Sequence, residues 1–151
     1  MNTVKHSNDS NSLPSQKRPY QFWINALPVV LLASLIGTYL DLFFVGKELY
    51  SFPYRPFPTI FSVNIAFTLI VLPLGVLLYL YICDKLTERN TFLFIVLIGL
   101  LASVLERVAE DLGLFIHSTS WKHFYSFFGY SAFLWLVYSL YQWMKKSLPK
   151  N

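Results

Sequence analysis

The stretch TFLFIVLIGLLASVLERVAEDL, residues 91–112, decides the fold of this chain. Its first fifteen residues carry no charged side chain, whereas its last seven carry four. A membrane crossing requires about 20 mostly apolar residues. The stretch therefore predicts a transmembrane helix with an ionisable end, and Gly113 directly after it is a plausible helix stop.

Three further apolar runs of similar length occur at about 22–44, 60–83 and 124–143. The chain has 151 residues, of which 55% are hydrophobic and 13% charged, against roughly 25% charged residues in an average soluble domain. A soluble domain of this size could not bury four such runs. We therefore predict an all-α integral membrane bundle of about four transmembrane helices, formed by residues 20–146.

The ends and the first connector have a different composition. Residues 1–19 are polar and rich in Asn and Ser, which predicts a disordered cytoplasmic tail. Residues 147–151 form a basic cytoplasmic tail. Residues 51–58 contain three prolines in six positions, so we expect an extended connector at the membrane interface. In the second apolar run, Pro73 predicts a kink.

The Lys and Arg residues predict the orientation. With four crossings, the side that holds both termini and the loop at 84–90 carries eight of these twelve residues, and the other side carries four. The more basic side faces the cytoplasm. We therefore predict a multi-pass plasma-membrane protein with both termini cytoplasmic, anchored at the interfaces by Trp23, Trp121 and Trp143. The net charge of +4 then reflects topology and contact with the lipid bilayer, not nucleic-acid binding.

Polar side chains from four segments fall on the predicted outer side. Glu106 and Glu110 are one helical turn apart and share a face, and Arg107 is spaced to pair with Glu110. A charge that faces lipid near the membrane centre costs about 2.5–3.5 kcal/mol on insertion scales. We therefore expect Glu106 and Arg107 to pack inside the outer half of the bundle. The predicted polar cluster consists of Asp41, Asn64, Glu106, Arg107, Glu110, His117 and His123.

Three interpretations of this cluster stay open. It is a structural network that neutralises buried charge, a pathway or pocket for protons, cations or a small ligand, or a metal centre. The metal centre would use Glu106, Glu110, His117 and His123, since carboxylate and imidazole ligands suit zinc, manganese or iron. The spacing of these four residues matches no strong ligand signature, so the metal is unknown.

Recognisable enzyme motifs are absent from the sequence. It contains no Gly-rich phosphate loop, no HExxH and no Gly-x-Ser-x-Gly, so we assign no catalytic residue and expect no cofactor. A binding, structural or accessory membrane protein is the preferred function. The alternatives are a small proton- or cation-coupled transporter and, third, a metal-dependent membrane enzyme. A bundle this small is also expected to associate with a second copy or with another membrane protein.

Two stretches carry a resemblance to known proteins. RPFPTIFSVN at 55–64 and STSWKHFYSFFGY at 118–130 resemble small uncharacterised multi-helix membrane proteins of Gram-positive spore-forming bacteria. The resemblance covers most of the chain outside its N-terminal tail. It implies several membrane helices and a plasma-membrane location. It carries over no catalytic residues, so it supports the architecture and leaves the function open.

Overall fold

The computed structural model describes residues 20–119 and 121–147. Within these residues the chain is helical apart from its connectors, and the predicted all-α architecture is confirmed. The predicted tails, 1–19 and all but the first residue of 147–151, lie outside the described part. The elements in chain order are α1 (Tyr20–Gly46), β1 (Tyr50–Ser51), a π-helical turn (Phe67–Val71), α2 (Leu72–Cys83), α3 (Glu88–Asp111), β2 (Ile116–His117) and α4 (His123–Ser147).

Two of these helices, α1 and α3, are long and apolar enough to cross a membrane. Only 17% of the apolar window of α1 and 11% of that of α3 are buried within the protein. Leu31 and Leu35 of α1 and Leu97 of α3 are 71%, 67% and 61% exposed. Apolar side chains exposed along a whole helix suit a hydrocarbon environment. The four crossings remain a prediction, because α2 is shorter than a span and α4 is rich in aromatic residues.

The connector between α1 and α2 is folded around one arginine and is not extended along its whole length. The guanidinium of Arg55 donates hydrogen bonds to the carbonyl oxygens of Phe52 and Phe61, both at 2.6 Å, and of Pro58 at 3.2 Å. Because these bonds hold the chain in turns as far as Phe61, the second helical region starts later than the predicted residue 60.

Pro73 is the second residue of α2 and lies near the middle of a continuous helical stretch, 65–83, as predicted. Proline has no N–H and its ring crowds the preceding turn. The turn directly before α2, Phe67–Val71, is π-helical, and such wide turns are a recognised way for a helix to accommodate this disruption. The predicted distortion thus lies at the start of α2.

Helix α4 contacts each of the other three helices, and its closest neighbour is α3. At Gly99 of α3, an added Cβ would lie 2.3 Å from the hydroxyl oxygen of Ser131 on α4. The missing side chain at Gly99 therefore lets the two backbones approach closely. Glu106 lies two turns further along α3, so the same close approach brings its side chain to α4.

The predicted helix stop at Gly113 is confirmed. Gly113 has a φ of 72°, in the left-handed region that glycine adopts without strain. The N–H of Leu114 donates to the carbonyl of Ala109, and that of Gly113 donates to the carbonyl of Glu110, both at 2.9 Å. This is a Schellman ending. It turns the chain back, so that β2 pairs antiparallel with β1 and returns His117 to the last turn of α3.

We predict opposite effects for two glycine-to-alanine substitutions. Gly113→Ala forces a Cβ into the left-handed region and is expected to destabilise the fold by about 1 kcal/mol or more. Gly129→Ala lies within α4 with open space around it, and is expected to stabilise by up to about 1 kcal/mol. Thermal unfolding in detergent, followed by circular dichroism, measures both. Equal melting temperatures for the two variants would contradict the assigned role of Gly113.

Candidate functional site

The carboxylate of Glu106 lies between α3 and α4 with its side chain only 7% exposed. Its Oε1 accepts a hydrogen bond from the hydroxyl of Ser126 at 2.5 Å, and its Oε2 accepts one from the phenol of Tyr130. The indole N–H of Trp121 in turn donates to the Ser126 oxygen at 3.0 Å. A buried carboxylate is stable only with such donors, and α4 supplies two of them from consecutive turns.

His117 is held over this carboxylate by Glu110. The backbone N–H of His117 donates to Oε1 of Glu110 at 3.1 Å, and its Nδ1 lies 3.3 Å from Oε2 of the same side chain. The imidazole, 5% exposed, stacks on Trp121 with the ring centroids 5.4 Å apart and the planes at 11°. These contacts fix the orientation of the ring and place Nε2 beside Glu106.

The Nε2 atom of His117 lies 3.1 Å from Oε1 of Glu106. The contact has the distance of a hydrogen bond but not its geometry, so Nε2 has no hydrogen-bond partner within residues 20–119 and 121–147. The lone pair of Nε2 is therefore not directed along the line to the carboxylate oxygen. A buried nitrogen in this state requires a further partner.

His123, at the start of α4, completes the group. Its Nε2 lies 3.6 Å from Oε2 of Glu110, while its Nδ1 is buried and has no hydrogen-bond partner in the described part of the chain. The side chains of His123 and Glu110 are 42% and 27% exposed. Glu106 and His117 thus form the floor of a site that opens on the side of His123 and Glu110.

Asp41 is connected to this region by a hydrogen bond to Tyr50. The Tyr50 phenol donates to Oδ1 of Asp41 at 2.6 Å, and Tyr50 is the β1 partner of His117 in β2. Burial first, and then the Asp41 carboxylate, raise the pKa of Tyr50 above its ordinary value, so the phenol keeps its proton and remains a donor. Asp41 of α1 thereby helps to hold the β1–β2 pair beside the site.

Two of the predicted cluster residues lie elsewhere. The Asn64 side chain accepts a hydrogen bond from the N–H of Phe67 at 3.2 Å and so supports the start of its own helical segment. Arg107 is exposed and forms no ion pair among the described residues. The expectation that Arg107 packs inside and pairs with Glu110 was wrong. Neighbouring helix residues point about 100° apart, so Arg107 faces outwards while Glu106 faces α4.

Sequence reasoning did not include the hydroxyl donors in the site. Ser126 and Tyr130 are four residues apart on α4, the spacing that also relates Glu106 and Glu110 on α3. A pair of polar groups at this spacing inside an apolar run is the signal that could have identified them. Trp121, predicted as an interfacial anchor, contacts both His117 and Ser126.

Three of the predicted residues converge most closely. Glu106, His117 and His123 each offer one donor atom, and these atoms all lie within 4.8 Å of one another. A carboxylate and two imidazoles at this spacing can hold a cation, exchange protons or bind one another.

We predict that Tyr130→Phe destabilises the fold by about 1–3 kcal/mol, because a nearly buried carboxylate oxygen loses its donor. Tyr125→Phe is the matched control, since Tyr125 is 52% exposed on the same helix. Melting temperatures in detergent provide the comparison. If the two variants have the same melting temperature, the hydrogen bond between Tyr130 and Glu106 does not hold α3 to α4.

Comparison with known proteins gives no further guide. The chain matches no protein-family model, no curated protein and no solved structure. The resemblance stated above therefore rests on its two quoted stretches and stays a prediction. The function has to be argued from the geometry around Glu106.

Proposed function

We propose that this chain is a plasma-membrane protein of four helical crossings that binds a cation at its outer face. The observation that carries the proposal is the convergence of Glu106, His117 and His123 at one end of the bundle. Two of these side chains are almost completely buried, although both are polar. Burial of a polar side chain costs free energy unless a ligand or hydrogen-bond partners satisfy its polar atoms.

The membrane part of the proposal is supported by α1 and α3, which are apolar and largely exposed. The orientation is supported by the basic residues, of which eight lie on the side of the termini and four on the side of the site. At the end of the bundle opposite the site, Asp84 accepts hydrogen bonds from Tyr141 at 2.9 Å and from Lys145 at 2.6 Å. That end is the one we assign to the cytoplasm.

The charge of the site supports a cation over an anion. Two carboxylates, those of Glu106 and Glu110, face the site. Within the described residues, their ion-pair partners are imidazoles, and no Lys or Arg contacts them. Two carboxylates close together, without a permanently charged Lys or Arg paired to them, favour a positively charged ligand.

Binding is preferred over transport because of what lies beneath the site. Further along α3 and α4 the described core is mainly apolar, with Ile95, Leu134 and Val137 all buried. A coupled transporter needs polar groups that continue across the membrane. A proton- or cation-coupled transporter is therefore the second candidate, and a metal-dependent enzyme the third.

We predict that Thr119 faces the outside and Asn90 the cytoplasm. Cys83 is the single cysteine and is buried, so Cys83→Ser gives a background for Thr119→Cys and Asn90→Cys. Both positions are exposed on the protein. A membrane-impermeant maleimide applied to intact cells should label only the cysteine at 119, and both after lysis. Labelling at 90 in intact cells would overturn the orientation.

We predict that a cation raises the melting temperature of the purified wild-type chain but not that of Glu106→Gln. The amide keeps the shape of the carboxylate and removes its charge. A panel of monovalent and divalent cations in nanodiscs tests this, with Glu48→Gln as the control because Glu48 lies outside the site. If no cation distinguishes the wild type from Glu106→Gln, the cluster is a structural network. Cation-dependent flux in liposomes would favour the transporter.

A further inference from the structure

We infer that the cation is a divalent transition-metal ion of the Zn²⁺ class, bound by Glu106, by Nε2 of His117 and by His123. The inference rests on the proposed function, since it specifies the ligand of the same site. The three donor atoms lie within 4.8 Å of one another. Two ligands of one tetrahedral zinc ion are separated by roughly 3.3 Å, so small side-chain rotations bring the set to bonding distance.

The first argument is the orientation of His117. Its Nδ1 faces the Glu110 carboxylate at 3.3 Å, and its backbone N–H is bonded to the same side chain. In metal sites, a ligating histidine donates its second ring N–H to a carboxylate or carbonyl, which fixes the tautomer and makes the other nitrogen a better ligand. Glu110 gives His117 this arrangement and leaves Nε2 as the ligating atom.

The second argument is the contact between His117 and Glu106. The His117 side chain is more than nine-tenths buried, and its Nε2 atom lies 3.1 Å from Oε1 of Glu106. Nε2 nevertheless has no hydrogen-bond partner in the described chain. Two ligands of one metal ion show this geometry, because each lone pair points to the ion and not to the other ligand. A direct hydrogen bond would instead align Nε2–H with the carboxylate oxygen.

The third argument is the second histidine. Nδ1 of His123 is buried with no hydrogen-bond partner among the described residues, and its Nε2 lies 3.6 Å from Glu110. Glu110 therefore lies beside both imidazoles, and its two hydrogen bonds orient that of His117. We assign it as a positioning residue and not as a ligand.

The donor set selects among cations. Ca²⁺ and Mg²⁺ prefer six or more oxygen ligands, and this site offers two imidazole nitrogens and one carboxylate. Two histidines and one carboxylate are a recurrent ligand set of Zn²⁺ and Fe²⁺ sites that keep an open position. Here the open position lies towards the exposed side of His123, where water can complete the coordination.

Metal binding by the full chain tests the inference. The wild type is purified in nanodiscs with a histidine-free tag, stripped with a chelator and titrated with Zn²⁺. We expect one Zn²⁺ per chain, unaffected by excess Mg²⁺ or Ca²⁺, and a tetrahedral visible spectrum with Co²⁺. His123→Ala removes an exposed ligand and should lower the affinity by tenfold or more. His6→Ala changes the remaining histidine of the sequence, which is not one of the proposed ligands, and should leave the affinity unchanged.

Glu110→Gln tests the positioning role. Loss of an outer-shell partner typically lowers metal affinity by about 10–100-fold, and we expect this loss together with a changed Co²⁺ spectrum. A residue that only stabilises the fold would change the metal-free melting temperature and leave the spectrum of the bound ion unaltered.

The possible failures are distinguishable. Wild type that binds no Zn²⁺, or binds it equally well after His123→Ala, overturns the metal inference. If another cation then stabilises the wild type but not Glu106→Gln, the proposed function stands without the metal. If no cation does so, both proposals fall.

Discussion

The structure depends on the burial of the Glu106 carboxylate between α3 and α4. An ionised carboxylate removed from water is stable only if hydrogen-bond donors replace the lost solvent. Ser126 and Tyr130 provide these donors. They can reach the carboxylate because Gly99 and Ser131 let the two helices approach closely two turns away. The need of one buried carboxylate for hydrogen-bond donors thus fixes how α3 and α4 pair at the end of the bundle that carries the site.

The chemistry of the site comes from the short segment that joins these two helices. Gly113 ends α3, and the pairing of β2 with β1 returns His117 to the last turn of that helix. His123 follows at the start of α4. Glu110 lies beside both imidazoles, and the free Nε2 of His117 lies beside Glu106. Among the described residues, imidazoles are the ion-pair partners of both carboxylates, and this supports the proposed metal site.

The sequence predicted the helices and much of this cluster for one physical reason. Apolar length indicates membrane-spanning helices, and charges at similar depth must avoid lipid, which grouped Glu106 with the histidines. The sequence did not identify Ser126 and Tyr130 as hydrogen-bond donors to Glu106, because hydroxyl side chains in an apolar helix carry no charge and resemble ordinary packing residues. Arg107 was misplaced because its direction depends on helix rotation, which only the packing of α3 on α4 fixes.

X-ray absorption at the zinc edge of the zinc-loaded chain in nanodiscs tests the central claim most directly. The account predicts a first shell of nitrogen and oxygen atoms at about 2.0–2.1 Å with a coordination number near four. It also predicts the outer-shell scattering of two imidazole rings, reduced to one ring in His123→Ala. A shell of six oxygen atoms without imidazole scattering, or a sulfur ligand from Cys83, would contradict the assignment of Glu106, His117 and His123 as the metal ligands.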